Sequence, residues 1–283
     1  LADYVMDNQV DEGRSDMDYA AWYFDIVERT AELIAMWQAA GFTHGVMNTD
    51  NMSVAGLTID YGPFGFMERY DPRFIPNASD DWGRYRYEAQ PSIAFWNLQA
   101  FAYALQPVLP FEAAQEILKA YEPRFLTCFH EIMCGKLGLE NARQEDRTIW
   151  QSLFSLMHQQ MPDYTLCFRD LFAVDPDSDN AAFLAHFRGD KQAAQKWLDD
   201  YFARVAREKP GRAERMKTVN PKYVLRNWVA ETVIRAAEDH ADYSLIDDMM
   251  QILRNPYDEH EKFSKYAALP PPEMENLCVS CSS

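Results

Sequence analysis

The chain has 283 residues, 48% of them hydrophobic, and its 27 basic against 44 acidic side chains give a formal charge of -17. That length allows about two domains, but no linker rich in Gly or Ser divides the sequence, which points to one continuous helical body. A surface this negative repels nucleic-acid phosphates and anionic membranes, and no apolar run approaches the roughly 20 residues that span a bilayer, so neither is an expected partner.

In chain order, Asp16 is the expected cap of a helix from about Met17 to Ala40. Trp22, Ile26, Thr30, Leu33, Ile34 and Trp37 recur there at helical spacing, and Gly41 closes it. The helix runs straight into His44 to Gly62, HGVMNTDNMSVAGLTIDYG. Asp50 and Asn51 are adjacent, Met52 to Ile59 reads as a strand or tight hairpin, and Asp60 precedes a Gly-Pro-Phe-Gly turn. A hairpin of that length brings its ends together. Oxygen ligands from Asn51 and Asp60 then converge on one hard cation, Mg2+ or Mn2+, and Asp50 is left free as a base. Asn-Thr-Asp-Asn is equally a good turn sequence, so spacing alone leaves the metal site and the plain turn both open.

Residues 63 to 90, rich in Pro, Asp, Arg and aromatics, read as an irregular ordered loop, and Pro91 starts a helix to about Gln106. Further helices are expected over Phe111 to Lys136, Arg143 to Gln160, Lys191 to Glu208, Pro221 to Asp239 and Ser244 to Leu253. The tail from Ala267, with three consecutive prolines, reads as extended and superficial.

Other constellations carry less. His130 and Cys134 imitate half of a zinc motif in HEIMC but lack a second histidine, which favours a partly buried His on an apolar helix. Arg84 and Arg86, with Tyr85 and Tyr87, suit contact with phosphate or a substrate protein. They suit equally well, and by a slight preference, ion pairs to Asp80, Asp81 or Glu88 that pin the loop. Trp22, Trp37, Trp96, Trp150 and Trp197 read as core residues. Five cysteines, an odd number, suggest a reducing compartment. Cys278 and Cys281 have dithiol spacing, a possible redox pair, but in a Pro-rich tail and not at a helix N-terminus.

Protein kinases use the parts found at 44 to 62: an Asp that accepts a hydroxyl proton, an Asn that holds Mg2+, and a second Asp followed by Phe-Gly. Here Tyr61-Gly62 follows the second Asp, and Asp50 and Asn51 are neighbours, so this is not an ordinary kinase. The run HGVMNTDNMSVAGLTIDYGPFGFMERYDPRF, with GRYRYEAQPSIAFWNLQA, NPKYVLRNW and the ending VSCSS, resembles the selenoprotein O family, also called YdiU, through nearly the whole chain. The resemblance implies a protein-kinase-like fold that binds ATP in a flipped orientation and transfers AMP to Ser, Thr or Tyr hydroxyls of proteins. By motif it makes Asp50 the proton acceptor, Asn51 a Mg2+ ligand, and Asp60 a Mg2+ ligand that also neighbours the nucleotide.

The expected fold class is therefore mainly α: residues 1–266 as the C-terminal lobe of a kinase-like α+β fold, with a short β-hairpin carrying the metal residues within 44–66, and 267–283 as a tail. The family's phosphate-binding lobe, with its glycines, lysine and glutamate, is expected upstream of Leu1. No glycine-rich loop followed by a strand lysine occurs among the 11 glycines here, so the isolated chain is expected to be nearly inactive. The ending resembles the cysteine-containing, mostly bacterial branch, whose members are expected in the cytoplasm; a eukaryotic member would be mitochondrial. In eukaryotic relatives selenocysteine occupies the position of Cys281. Many relatives read F-I-C-N-H-S-D where this chain has FIPNASD, with Pro76 and Ala78, which puts redox gating through a partner cysteine there in doubt. A kinase-like phosphotransferase and a non-catalytic redox or docking module remain the alternatives.

Overall fold

The computed structural model describes residues 1–9, 18–275 and 277. Twelve helices follow in order among them: α1 Ala2–Gln9, α2 Tyr19–Ala40, α3 Gln90–Ala104, α4 Phe111–Leu118, α5 Tyr121–Lys136, α6 Arg147–Gln160, α7 Tyr164–Asp170, α8 Ala181–Leu184, α9 Lys191–Val205, α10 Arg212–Val219, α11 Asn227–His240 and α12 Ser244–Arg254. Strands β1, Phe42–Thr43, and β2, Gly65–Phe66, pair antiparallel, Phe42 opposite Phe66. The protein is thus mainly helical. No helix among the described residues is long and apolar enough to cross a membrane.

Three apolar clusters organise the helices. The first gathers Trp22, Ile26, Ile34 and Trp37 of α2 with Leu98 and Ala102 of α3, Leu118 of α4 and Tyr121. Each such side chain removed from water contributes about 1.5–3 kcal/mol, so α2 is anchored by its apolar face far more than by intrinsic propensity. The second lies under α5, α6, α7 and α9 around Met133, Leu153, Phe168 and Trp197; the third joins Trp228, Met249, Ile252 and Phe263.

Several expectations need correction. Asp16 lies outside the described residues; α2 begins at Tyr19, where Asp18 accepts from the Ala21 amide at 2.8 Å. The long helix expected over 111 to 136 is two helices, because Lys119 and Ala120 close with bonds to Glu116 and Ile117 three residues back. The break lets both Leu118 and Tyr121 reach the first cluster, and Pro123, in the first turn of α5, lacks an N–H that the helix start does not use. Residues 221 to 226 are not helical, since α11 starts only at Asn227. Helices α1, α7, α8 and α10 were not foreseen. A 3-10 turn at Glu261–Ala267 precedes the tail, and within the tail, expected to be extended, a further 3-10 turn forms at Pro272–Met274. Trp22, Trp37 and Trp197 are buried, whereas Trp150 is only half-buried and Trp96 is 47% exposed, so Trp96 is a surface residue.

Candidate active site

The chain leaves α2 through Gly41, in the left-handed region at φ 69°, where a Cβ would lie 2.6 Å from the Tyr164 ring. Two phenols hold the helix end: Tyr87 donates to the Gln38 carbonyl at 2.6 Å and Tyr164 to that of Ala39 at 3.0 Å. Beyond β1, side-chain amides of α3 carry the backbone. Gln90 accepts from the His44 amide at 2.9 Å and donates to the Phe42 carbonyl at 2.9 Å; Asn97 donates to the Met47 carbonyl at 2.9 Å. Gln90 and Asn97 stand seven residues, two turns, apart and so share one face of α3. That spacing of amides in an apolar helix was the available sign of their role, and sequence reading passed over it.

The expected hairpin is much reduced. Thr49–Asn51 forms a single 3-10 turn, and a lone antiparallel bridge joins Met52 to Thr58. The bridge still draws the two ends of the segment together. His44 Nε2 lies 2.8 Å from the Ile59 carbonyl, and since a carbonyl only accepts, Nε2 carries the hydrogen. Trp37 Nε1 donates to Thr58 Oγ1 at 2.9 Å. The segment that delivers Asp60 is therefore fastened to buried groups on α2 and directly after β1.

Asp50 and Asp60 are exposed, and among the described residues neither carboxylate has a hydrogen bond or ion pair. Asp60 takes φ 55°, a left-handed conformation that aspartate tolerates better than most residues. Asn51 donates through Nδ2 to the Val46 carbonyl at 3.1 Å, which fixes the amide and leaves Oδ1 without a donor among the described residues. Among the described residues no three His, Cys, Asp or Glu side chains gather into a metal cage. One amide oxygen and unpaired carboxylates are hard donors nonetheless, and they suit a Mg2+ ion that keeps water or phosphate oxygens for its remaining positions.

The loop after the site is tied down by a buried ion cluster. Arg226, 1% exposed, grips Asp163 with two nitrogens at 2.5 and 3.0 Å and Glu68 at 2.5 Å. Burial pushes the Glu68 carboxyl up, against the pull of Arg226. Elsewhere in the loop Arg86 pairs with Glu88 at 2.7 Å, as expected, but no ion pair engages Arg84 among the described residues. His130 is buried and accepts from Trp150 Nε1 at 3.0 Å, an ordinary core histidine. Cys278 and Cys281 lie outside the described residues.

A family model described as protein adenylyltransferase SelO matches residues 1–254. The chain belongs to the SelO family. It is 43% identical to the protein nucleotidyltransferase YdiU of Vibrio parahaemolyticus and 45% identical to that of Myxococcus xanthus, in each case over 100% of this chain and 59% of the relative. The YdiU of Photobacterium profundum is 45% identical over 94% of the chain. The chain thus spans less than two thirds of the length of these SelO-family relatives.

Proposed function

We propose that the whole protein is a protein adenylyltransferase that moves AMP from ATP to Ser, Thr or Tyr hydroxyls of other proteins, with Mg2+ or Mn2+. In this reading residues 1–266 are the C-terminal lobe of a protein-kinase-like fold, 267–283 its tail, and an upstream lobe completes the ATP site. The observation that carries it is the pair of exposed, unpaired carboxylates, Asp50 and Asp60, on a segment anchored by His44, Trp37 and Asn51 in a chain of the SelO family.

Asn51 and Asp60 would hold the metal, which when bound supplies positive charge for the phosphate oxygens. The acceptor hydroxyl oxygen forms a bond to the α-phosphorus, the bond from that phosphorus to pyrophosphate breaks, and the hydroxyl proton passes to Asp50. A carboxylate is a weak base for an alcohol, so Asp50 acts chiefly by orienting the oxygen and takes the proton late.

The test is mass spectrometry of the whole protein and of candidate acceptors after incubation with ATP and Mg2+, beside an Asp60→Asn variant. An adenylyl mass gain lost in the variant supports the reading. A phosphoryl gain makes the enzyme a kinase, and turnover equal in both proteins removes Asp60 from the site.

A further inference from the structure

Among the described residues Arg84 is a cation with no carboxylate of its own. Its guanidinium lies 5.1 Å from the ring centroid of Trp96 and 5.6 Å from that of Tyr85. Both rings restrain it, so its side-chain entropy is largely spent before any ligand arrives. Among the described residues the neighbouring acids do not pair with it. Asp80 accepts from the backbone amides of Arg84 and Tyr85 at 2.9 and 2.8 Å, Glu88 pairs with Arg86, and no ion pair joins Arg84 to Asp81.

Its place in the fold gives it a use. The Tyr85 hydroxyl donates to Asn48 Oδ1 at 2.5 Å, and Asn48 is two residues before Asp50. The ring that supports the guanidinium is therefore bonded to the turn that presents the proposed proton acceptor. Two residues from Arg84, Trp82 projects an indole that is 94% exposed, and Trp96 adds a half-exposed one.

We propose that Arg84 is a specificity-determining residue that receives an acidic side chain of the acceptor protein, a few residues from the hydroxyl to be modified. This rests on the proposed transfer to protein hydroxyls. An extended chain advances roughly 3.3 Å per residue, so a segment bound at Asp50 reaches the Arg84 stack within a handful of positions. Charge complementarity sets the partner's chemistry: against the protein's overall negative charge, an acidic side chain is favoured where a restrained cation stands without a carboxylate.

The whole protein, without ATP, is titrated with two Tyr-containing peptides identical except for Glu or Gln at the flanking positions, and binding is followed by tryptophan fluorescence. Arg84→Ala and Arg84→Lys are run in parallel, with circular dichroism to show that both fold. The expected result is about tenfold tighter binding of the Glu peptide, lost in Arg84→Ala and partly kept in Arg84→Lys. Equal affinity for both peptides, or a Glu preference that survives in Arg84→Ala, overturns the proposal. In a separate titration with ATP alone, an Arg84→Ala protein that loses nucleotide affinity while its peptide preference is intact also overturns it and assigns the guanidinium to the nucleotide. Because no turnover is read, this outcome is separate from whether AMP is transferred.

Discussion

The imidazole of His44 donates through Nε2 to the carbonyl of Ile59 at 2.8 Å, which fastens the backbone one residue before Asp60 to the buried residue that follows β1. His44→Ala removes that tie and leaves a carbonyl and a cavity. The expected loss is about 1–3 kcal/mol of stability, with transfer activity falling further than the fraction unfolded explains. Thermal melting and adenylyl transfer measured on the same whole-protein preparations check the two effects separately.

Asp60 itself should be replaced with its backbone in mind. At φ 55° an alanine is strained, whereas asparagine also tolerates the left-handed region. Asp60→Asn is expected to melt within a few degrees of the parent while transfer is lost, and Asp60→Ala to lose both activity and stability. If Asp60→Asn retained full transfer, the carboxylate would have no part in the reaction.

Removing Arg226 strands Asp163, 2% exposed, and the Glu68 carboxylate. Arg226→Met is expected to cost about 3–5 kcal/mol, read as a lower urea midpoint, since breaking a buried pair leaves an uncompensated charge. Asp163→Asn should cost less than Asp163→Ala, because an amide oxygen still caps α7 at the Leu166 amide, which Asp163 now does at 2.8 Å.

Lys136 is buried among Tyr164 and Phe168, and burial lowers its ammonium to about 7. The unfolded chain, with a lysine near 10.4, holds more protons between about pH 7 and 10.4, so stability due to this group rises with pH across that window. Below pH 7 both states are protonated and the full penalty of the buried charge is present. The Phe168 ring, 4.4 Å from Nζ, favours the ammonium and so limits how far burial lowers it. Urea midpoints from pH 6 to 10 should rise in the parent relative to Lys136→Met, and parallel profiles would refute the assignment.

The thiols divide by burial. Burial pushes Cys134 up to about 12 and Cys167 further up, while Cys128 is half-buried with a smaller rise. Among these three, native-state alkylation with iodoacetamide, located by peptide mass mapping, should mark Cys128 first.

Local grammar carried much of this structure. Gly41 as the end of α2, the apolar stripe from Trp22 to Trp37, and the turn bearing Asp50 and Asn51 were all legible, because each depends on residues within a turn or two of one another. The two-helix break at Lys119 was marked by Pro123, whose missing N–H and whose ring against the carbonyl of residue 119 stop a helix from running through, and sequence reading passed over it; the packing of Leu118 and Tyr121 then holds the two pieces. Not legible was the cluster of Arg226 with Asp163 and Glu68, whose members are 63 and 158 residues apart and pair only after folding. Trp96 repeats at helical spacing yet faces outward to carry Arg84, a reminder that periodicity names a face without saying what covers it.

Tyr164 closes against Gly41 and bonds the Ala39 carbonyl across 125 residues of sequence. Amide exchange should therefore treat the end of α2, β1 and the start of α7 as a single opening unit. Protection of the Phe42 and His44 amides then reports on α7 as much as on their own neighbourhood, and loosening either partner exposes the other to solvent at the same free energy.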